Sequence, residues 1–316
     1  MRYFKGEAYL EVIYEKEAIV YDQKNDAGRM LQVDFDIKMS RSKTPNQGVI
    51  AIYNLAETDR RRIERDAKSV RLYAGYDGDN KLIFVGDVVF VSTVKEDVDW
   101  KTEIKAGDGF RSFSQSITSR NYAAGTPIRT IVEQTARDMG IALKESANIL
   151  KGLIDGSITL HGKSQLALDQ VVRNAGGEWS IQDNELQVTP ITKPIDGEAI
   201  VLDSSSGLLE APSVSEKGVN IRCQLHPDLR PGKVVKLESS SWTVDSGGTG
   251  VMDGTQVKKD KKSGETQQVQ KEKTYPVERG KDYNGFYICQ SVQFVGNNAG
   301  GPFECRLETI ELPNAT

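Results

Sequence analysis

Long apolar runs are missing from this chain. Runs such as residues 82–85 and 88–91 fall far short of the roughly 20 residues that a membrane-crossing helix needs. The opening Met1-Arg2-Tyr3-Phe4-Lys5-Gly6 shows no apolar stretch ending in a small-residue cleavage site, so no secretory signal is read and folding in a cytoplasm is expected. Cysteine is scarce. Cys223, Cys289 and Cys305 are an odd set without a CxxC pair, each inside a strand-like run, and they are expected as buried free thiols. The two histidines, His161 and His226, stand alone in sequence, which argues against a zinc site and for structural or surface roles. A surplus of positive charge is also absent: the net charge is −4, the wrong sign for bulk nucleic-acid binding.

Familiar catalytic signatures are lacking as well. There is no phosphate-cradling G-x-x-x-x-G-K-[ST], no G-x-G-x-x-G opening a helix and no G-x-S-x-G elbow. Tyr76-Asp77-Gly78-Asp79-Asn80 resembles half of a calcium loop, but the closing glutamate is missing at the required spacing, so a hairpin turn is expected. With 45 acidic residues some carboxylate pair always fits a glycosidase, so that hypothesis discriminates nothing. No catalytic, cofactor-binding or metal-ligating residue is therefore assigned, and a non-enzymatic role is expected.

What is present is strand after strand. A chain of 316 residues is too long for one ordinary core, which points to two or three domains. Residues 9–14 are rich in aromatic and β-branched side chains. In residues 31–39, Leu31, Val33, Phe35, Ile37 and Met39 alternate with polar neighbours, the period of a half-buried strand. Residues 48–55, 70–76, 82–93 and 100–106 continue the series. Residues 57–68 interrupt it with Arg60, Arg61, Arg62, Glu64, Arg65 and Asp66 around a single large apolar residue, Ile63. That composition predicts a short surface helix laced by Arg61 with Glu64 and Arg62 with Asp66. Gly107-Asp108-Gly109 reads as a tight bend.

The middle of the chain is different. Thr126 as cap, Pro127 at the first helical position, then Ile128, Ile131, Val132, Thr135, Ala136 and Met139 before Gly140 predict a helix. A second is predicted from Ser164, with Leu166, Leu168, Val171 and Val172 on its apolar side, to Gly176-Gly177. A hairpin about Asp183-Asn184 follows. Strands return at residues 199–202, 218–224, 233–238, 286–295 and 303–312, with a turn at residues 296–301. Residues 242–274 are polar and rich in lysine, and predict a long exposed loop, or two strands extended as a polar hairpin. Lys258, Lys259, Lys261 and Lys262 in this loop are its candidate partner-binding residues; the absence of interleaved aromatics argues against nucleic acid.

The succession of elements resembles the hub proteins of contractile bacteriophage tail baseplates. Asn54-Leu55, Gly75-Tyr76, residues 106–109 followed by Gly125-Thr126, Gly176-Gly177-Glu178-Trp179, residues 207–212, residues 218–225 and Leu229-Arg230-Pro231-Gly232 carry the likeness. No single motif is specific, and the lysine-rich insertion is the main departure. The resemblance implies a mainly β chain with a small α/β part. Two tail-tube-like β-barrel domains, residues 1–109 and 199–316, would flank a compact α/β middle domain, residues 110–198. It further implies a homotrimeric ring, six barrels around a channel that passes DNA without specific binding and without insertion into a membrane. The ring would join the central spike to the tail tube or tube-initiator protein and to the tape-measure protein in the virion. Two other readings stand beside it: a tail-associated peptidoglycan hydrolase, and a hub or spike component of a phage-derived secretion system. Contractile and non-contractile tails are not separated by this sequence.

Overall fold

Side-chain alternation decides the first part of the fold. The computed structural model describes residues 6–22, 31–145, 149–191, 193–195, 197–215, 218–244, 256–259, 266–269 and 283–312. Seven strands and one helix come first: β1 (Gly6–Ile13), β2 (Ala18–Tyr21), β3 (Val33–Ser40), β4 (Gln47–Tyr53), α1 (Glu57–Asp66), β5 (Ser69–Tyr76), β6 (Asp79–Glu96) and β7 (Asp99–Gly107). On β3, Val33, Phe35, Ile37 and Met39 are all buried, as their spacing requires. The β5–β6 connection is the expected hairpin turn, with Asp77 and Gly78 at positive φ.

Helix α1 buries only Ile63, as its composition demands. The ion pairs differ from the expected ones. Arg61 pairs with Glu57 one turn back, Arg65 with the adjacent Asp66, and Arg62 reaches off the helix to Glu17. The side chains of a helix this short find partners on neighbouring segments as readily as along its own face.

The middle segment holds α2 (Phe110–Gln115), β8 (Ile117–Tyr122), α3 (Ile128–Met139), β9 (Ala142–Glu145), β10 (Ile158–Lys163), α4 (Ser164–Asn174), β11 (Gly177–Gln182) and β12 (Glu185–Pro190). β12 pairs with β11 antiparallel and with β9 parallel, while β8 pairs with β10. Val132, Leu168, Val172, Trp179 and Leu186 lie in its core. Gly140 ends α3 in the left-handed conformation, as expected. The cap does not form: Pro127 occupies the N-cap position, and the Thr126 hydroxyl instead donates to the Ala123 carbonyl at 2.7 Å. Leu166, placed on the apolar side of α4, is 65% exposed.

The C-terminal part contributes β13 (Ile200–Leu202), β14 (Ser213–Val214), β15 (Val219–Gln224), β16 (Val234–Leu237), β17 (Thr243–Val244), β18 (Gln256–Lys259), β19 (Thr266–Val269), β20 (Gly285–Asn297) and β21 (Phe303–Glu311). β18 and β19 pair with each other as a separate hairpin within the lysine-rich insertion. Overall the fold is mainly β, with 51% strand and 16% helix.

One pairing organises the whole. β20 lies antiparallel to β3, so strands from both ends of the chain meet in a 14-stranded sheet ordered β17-β14-β15-β21-β20-β3-β4-β7-β6-β5-β1-β2, with β16 on β20 and β13 on β16. Their buried side chains form one continuous apolar core, from Leu10, Ile37 and Phe84 to Ile221, Phe294 and Leu307. The middle segment has its own core, which shares no residue with the first.

Asn298, in the β20–β21 turn, ties β1 to β3 across the core. Its Oδ1 accepts from the Val33 N–H at 2.9 Å, and its Nδ2 donates to the carbonyls of Leu31 at 3.1 Å and Ala8 at 3.4 Å. Asn298 is only 6% exposed, so truncation strands buried backbone groups. Asn298→Ala is expected to cost about 2–3 kcal/mol in a denaturant titration. A loss under about 0.5 kcal/mol would show that water replaces the amide.

Candidate assembly surfaces

The face of the central strands turned away from the core is polar in a patterned way. Register places Arg222, Arg306, Gln293, Lys38 and Gln47 in one row across β15, β21, β20, β3 and β4. Glu304, Val295, Asp36, Val49, Lys105 and Phe90 form the next row, running on to β7 and β6. Ion pairs and hydrogen bonds join neighbouring rows. Glu304 takes Arg222 at 2.7 Å and Arg306 at 2.8 Å, Gln293 donates to Asp36 at 2.7 Å, and Ser291 donates to Glu308 at 3.0 Å. Burial raises the Glu304 carboxyl, but the two guanidinium groups outweigh it and hold the group below the ordinary carboxylate range. Such a surface presents both signs at short intervals, with little net field for a polyanion to settle into.

Beside it lies an apolar arm, the distal part of β6 and β7, where β4 pairs along β7 as far as Lys101 and, among the described residues, the outer edge of β6 is open. β6 is 18 residues long, yet β5 pairs with it only as far as Asp87; beyond Val88 its only strand partner among the described residues is β7. A bulge between Val88 and Phe90 re-aims the strand there. The arm carries Val89, Phe90 and Val94, each about half exposed, and Val98 at its tip, 84% exposed. Arg60 of α1 stacks at 4.0 Å on Trp100 near its tip. An apolar strand with an open edge invites pairing or packing by another chain.

The middle segment meets the sheet through polar groups. The Asp183-Asn184 turn between β11 and β12, both residues at positive φ, plugs into a socket whose floor is Asp108. Asp108 is fully buried. Its two carboxylate oxygens accept the backbone N–H groups of Asp183 and Asn184, each at 2.7 Å, and the Asn46 amide donates at 3.2 Å. Burial drives its carboxyl up to about 7, with the nearby Asp183 charge adding to the rise and the three donors opposing it. Asn46 also donates to the Ile181 carbonyl and to Gln182 Oε1, and Gln182 donates to the Ser40 carbonyl. Arg230, from the loop between β15 and β16, pairs with Asp183 at 3.1 Å and donates to the Leu82 carbonyl at 2.8 Å. Arg41 is buried, ion-paired to Glu178, and donates to Thr189 and to the Pro190 carbonyl.

The residues expected to bind a partner fall at the margin of what can be described. Lys258 and Lys259 stand on β18, but their side chains, and Lys261 and Lys262 altogether, lie outside the described residues. All three cysteines are buried free thiols, as expected; Cys223 and Cys305 sit opposite each other on β15 and β21. His161 stands on β10, its Nδ1 3.1 Å from the Ser119 hydroxyl; His226 is partly buried, and burial lowers its pKa. Among the described residues no cluster of three His, Cys, Asp or Glu side chains fits a metal ion, and no helix is long and apolar enough to cross a membrane. Sequence reasoning gives Arg41, Asn46 and Gln182 no role, and names Arg230 only within the family likeness. For Asp108 the flanking glycines were the available signal, since an acid between two backbone-permissive residues suits a close approach to another chain segment.

Residues 17–241 match the family described as Baseplate hub gp41. The fold is similar to that of the prophage MuSo2 43 kDa tail protein from Shewanella oneidensis, with a TM-score of 0.58 at 8% identity, covering 96% of each chain. It is also similar to a tail protein from Neisseria meningitidis MC58, with a TM-score of 0.57 at 10% identity, covering 96% of this chain and 97% of that one. No curated protein matches the sequence.

Proposed function

The chain belongs to the Baseplate hub gp41 family and is a structural component of a phage tail baseplate, and from that premise we propose that it forms a homotrimeric hub ring joining the central spike to the tail tube. Residues 1–109 and 199–316 serve as two tube-like units per chain, joined through the β3–β20 pairing, with residues 110–198 as a third body between them. The observation that carries this reading is the ion-paired, charge-alternating face of β15, β21, β20, β3, β4 and β7. Turned inward in a ring, it makes a wall along which DNA passes without being held. The apolar arm of β6 and β7 supplies the contact to the neighbouring chain, and the β18–β19 hairpin reaches the spike, the tube initiator or the tape-measure protein. The hub acts without catalysis or a cofactor, is assembled in the host cytoplasm and stays in the virion tail.

Light scattering on the purified chain, alone and mixed with its spike, tests the ring. A trimer, either alone or on addition of the spike, is the expected result. Phe90→Glu with Val94→Glu is expected to leave a folded monomer under both conditions, because burying two carboxylates in an apolar contact opposes association. A wild-type chain that stays monomeric in both would overturn the ring. A monomer would fit a tail-associated peptidoglycan hydrolase or a part of a phage-derived secretion machine instead.

A further inference from the structure

We infer that the middle segment, residues 110–190, is a docked body: it is latched to the sheet by a polar plug and socket and leaves it without unfolding. This inference does not depend on the ring.

Two apolar cores that share no residue come first in the argument. Apolar burial is what makes two parts of a chain unfold together, and here that continuity stops at the junction. The contacts that cross it are dominated by polar groups. They include the Asp183 and Asn184 N–H groups on Asp108, Asn46 on the Ile181 carbonyl and Gln182, Gln182 on the Ser40 carbonyl, Arg41 on Glu178 and Thr189, Arg230 on Asp183, Lys43 on Asp169, and Arg111 on Asp87 and the Lys68 carbonyl. Water can replace each of these on separation, whereas it cannot replace an apolar contact.

The fit is also incomplete. Arg41 Nε and Nη1 and Asp183 Oδ1 are buried at the junction with no hydrogen-bond partner. A polar interface that leaves a guanidinium under-satisfied gains free energy when those donors reach solvent, which narrows the gap between docked and undocked states. The exit from β7 supplies a pivot. Gly107-Asp108-Gly109 leads from the sheet into α2, with Gly109 at φ +59° and a β-carbon there 2.7 Å from the Ile181 side chain. The plug is a rigid two-residue hairpin turn, so it withdraws as a unit.

The test uses the full-length chain with Leu153→Cys and Val98→Cys, one exposed site on the middle segment and one on the arm. Spin labels go to these two, because the native thiols are fully buried. Pulsed dipolar spectroscopy then reads the distance between the two bodies, and amide exchange reads protection at Val132 and Val172 in one core and at Ile37 and Phe294 in the other. Asp108→Ala and, separately, Arg230→Ala are expected to raise the undocked-to-docked ratio roughly 10- to 100-fold. A second, longer distance should appear while protection inside both cores stays in place. The inference is overturned if both variants keep a single unchanged distance. It is equally overturned if either variant loses protection in both cores together, which would make the junction integral to one cooperative fold.

Discussion

Phe84→Ala is expected to destabilise the sheet by about 3–5 kcal/mol, the range for removing a buried aromatic ring. Phe84 is fully buried on β6. Its ring fills space that two neighbouring residues leave empty by having no side chain: a β-carbon on Gly48 or on Gly86 would lie 2.7 Å from the ring. The surroundings are backbone of β4 and β6, fixed by ladder hydrogen bonds, so the cavity left by alanine has little freedom to collapse. The two cores make a single unfolding transition an unsafe assumption, so the loss is to be read from the transition that Trp100 reports, with Trp179 as the reporter of the middle segment. Gly48→Ala and Gly86→Ala should each destabilise through the same ring, by pushing it off its seat. A loss below about 1 kcal/mol in Phe84→Ala would show that the site repacks.

The second large effect concerns acid. Burial pushes the Asp108 carboxyl up to about 7 in the folded chain, against 3.8 for an ordinary aspartate. The folded state therefore holds a proton that the unfolded state releases across that window. The sign follows: the stability contributed by Asp108 is full below the unfolded value, falls as pH rises from about 4 to about 7, and is gone beyond. The full difference corresponds to about 4 kcal/mol. Asp108→Asn abolishes this titration, and its NH2 group faces backbone N–H donors. The variant should thus be less stable than wild type near pH 4, with the deficit shrinking steadily toward pH 7.5. Urea titrations of both proteins at several pH values measure it. A deficit that grows with pH would mean that the three donors to Asp108, not its burial, set its ionisation.

Local periodicity made most strands readable. The alternation of β3, the hairpin at Asp77-Gly78 and the Asp183-Asn184 turn each follow from side-chain period or positive-φ preference, which are properties of a few adjacent residues. Short polar strands were harder. β8, whose sequence is Ile117-Thr118-Ser119-Arg120-Asn121-Tyr122, carries little apolar pattern, and only its pairing with β10 makes it a strand. The β3–β20 pairing was out of reach for another reason: a strand's sequence shows which face is buried but not which distant edge it joins. The junction shares that difficulty. Asp108, Asn46, Gln182 and Arg230 are ordinary polar residues until the fold brings them together.

The β3–β20 pairing also sets a timetable. Asp36 and Gln293, joined across it, are 257 residues apart. At roughly 5–20 residues per second, a ribosome exposes β3 for about 13–50 s before its partner emerges. During that interval one edge of β3 presents free backbone donors and acceptors beside Phe35 and Ile37, a template for any nascent neighbour on the same message. Chaperone dependence of expression, and its relief when synthesis is slowed and dilute, would be the physiological trace of a hub whose early strands wait for its last ones.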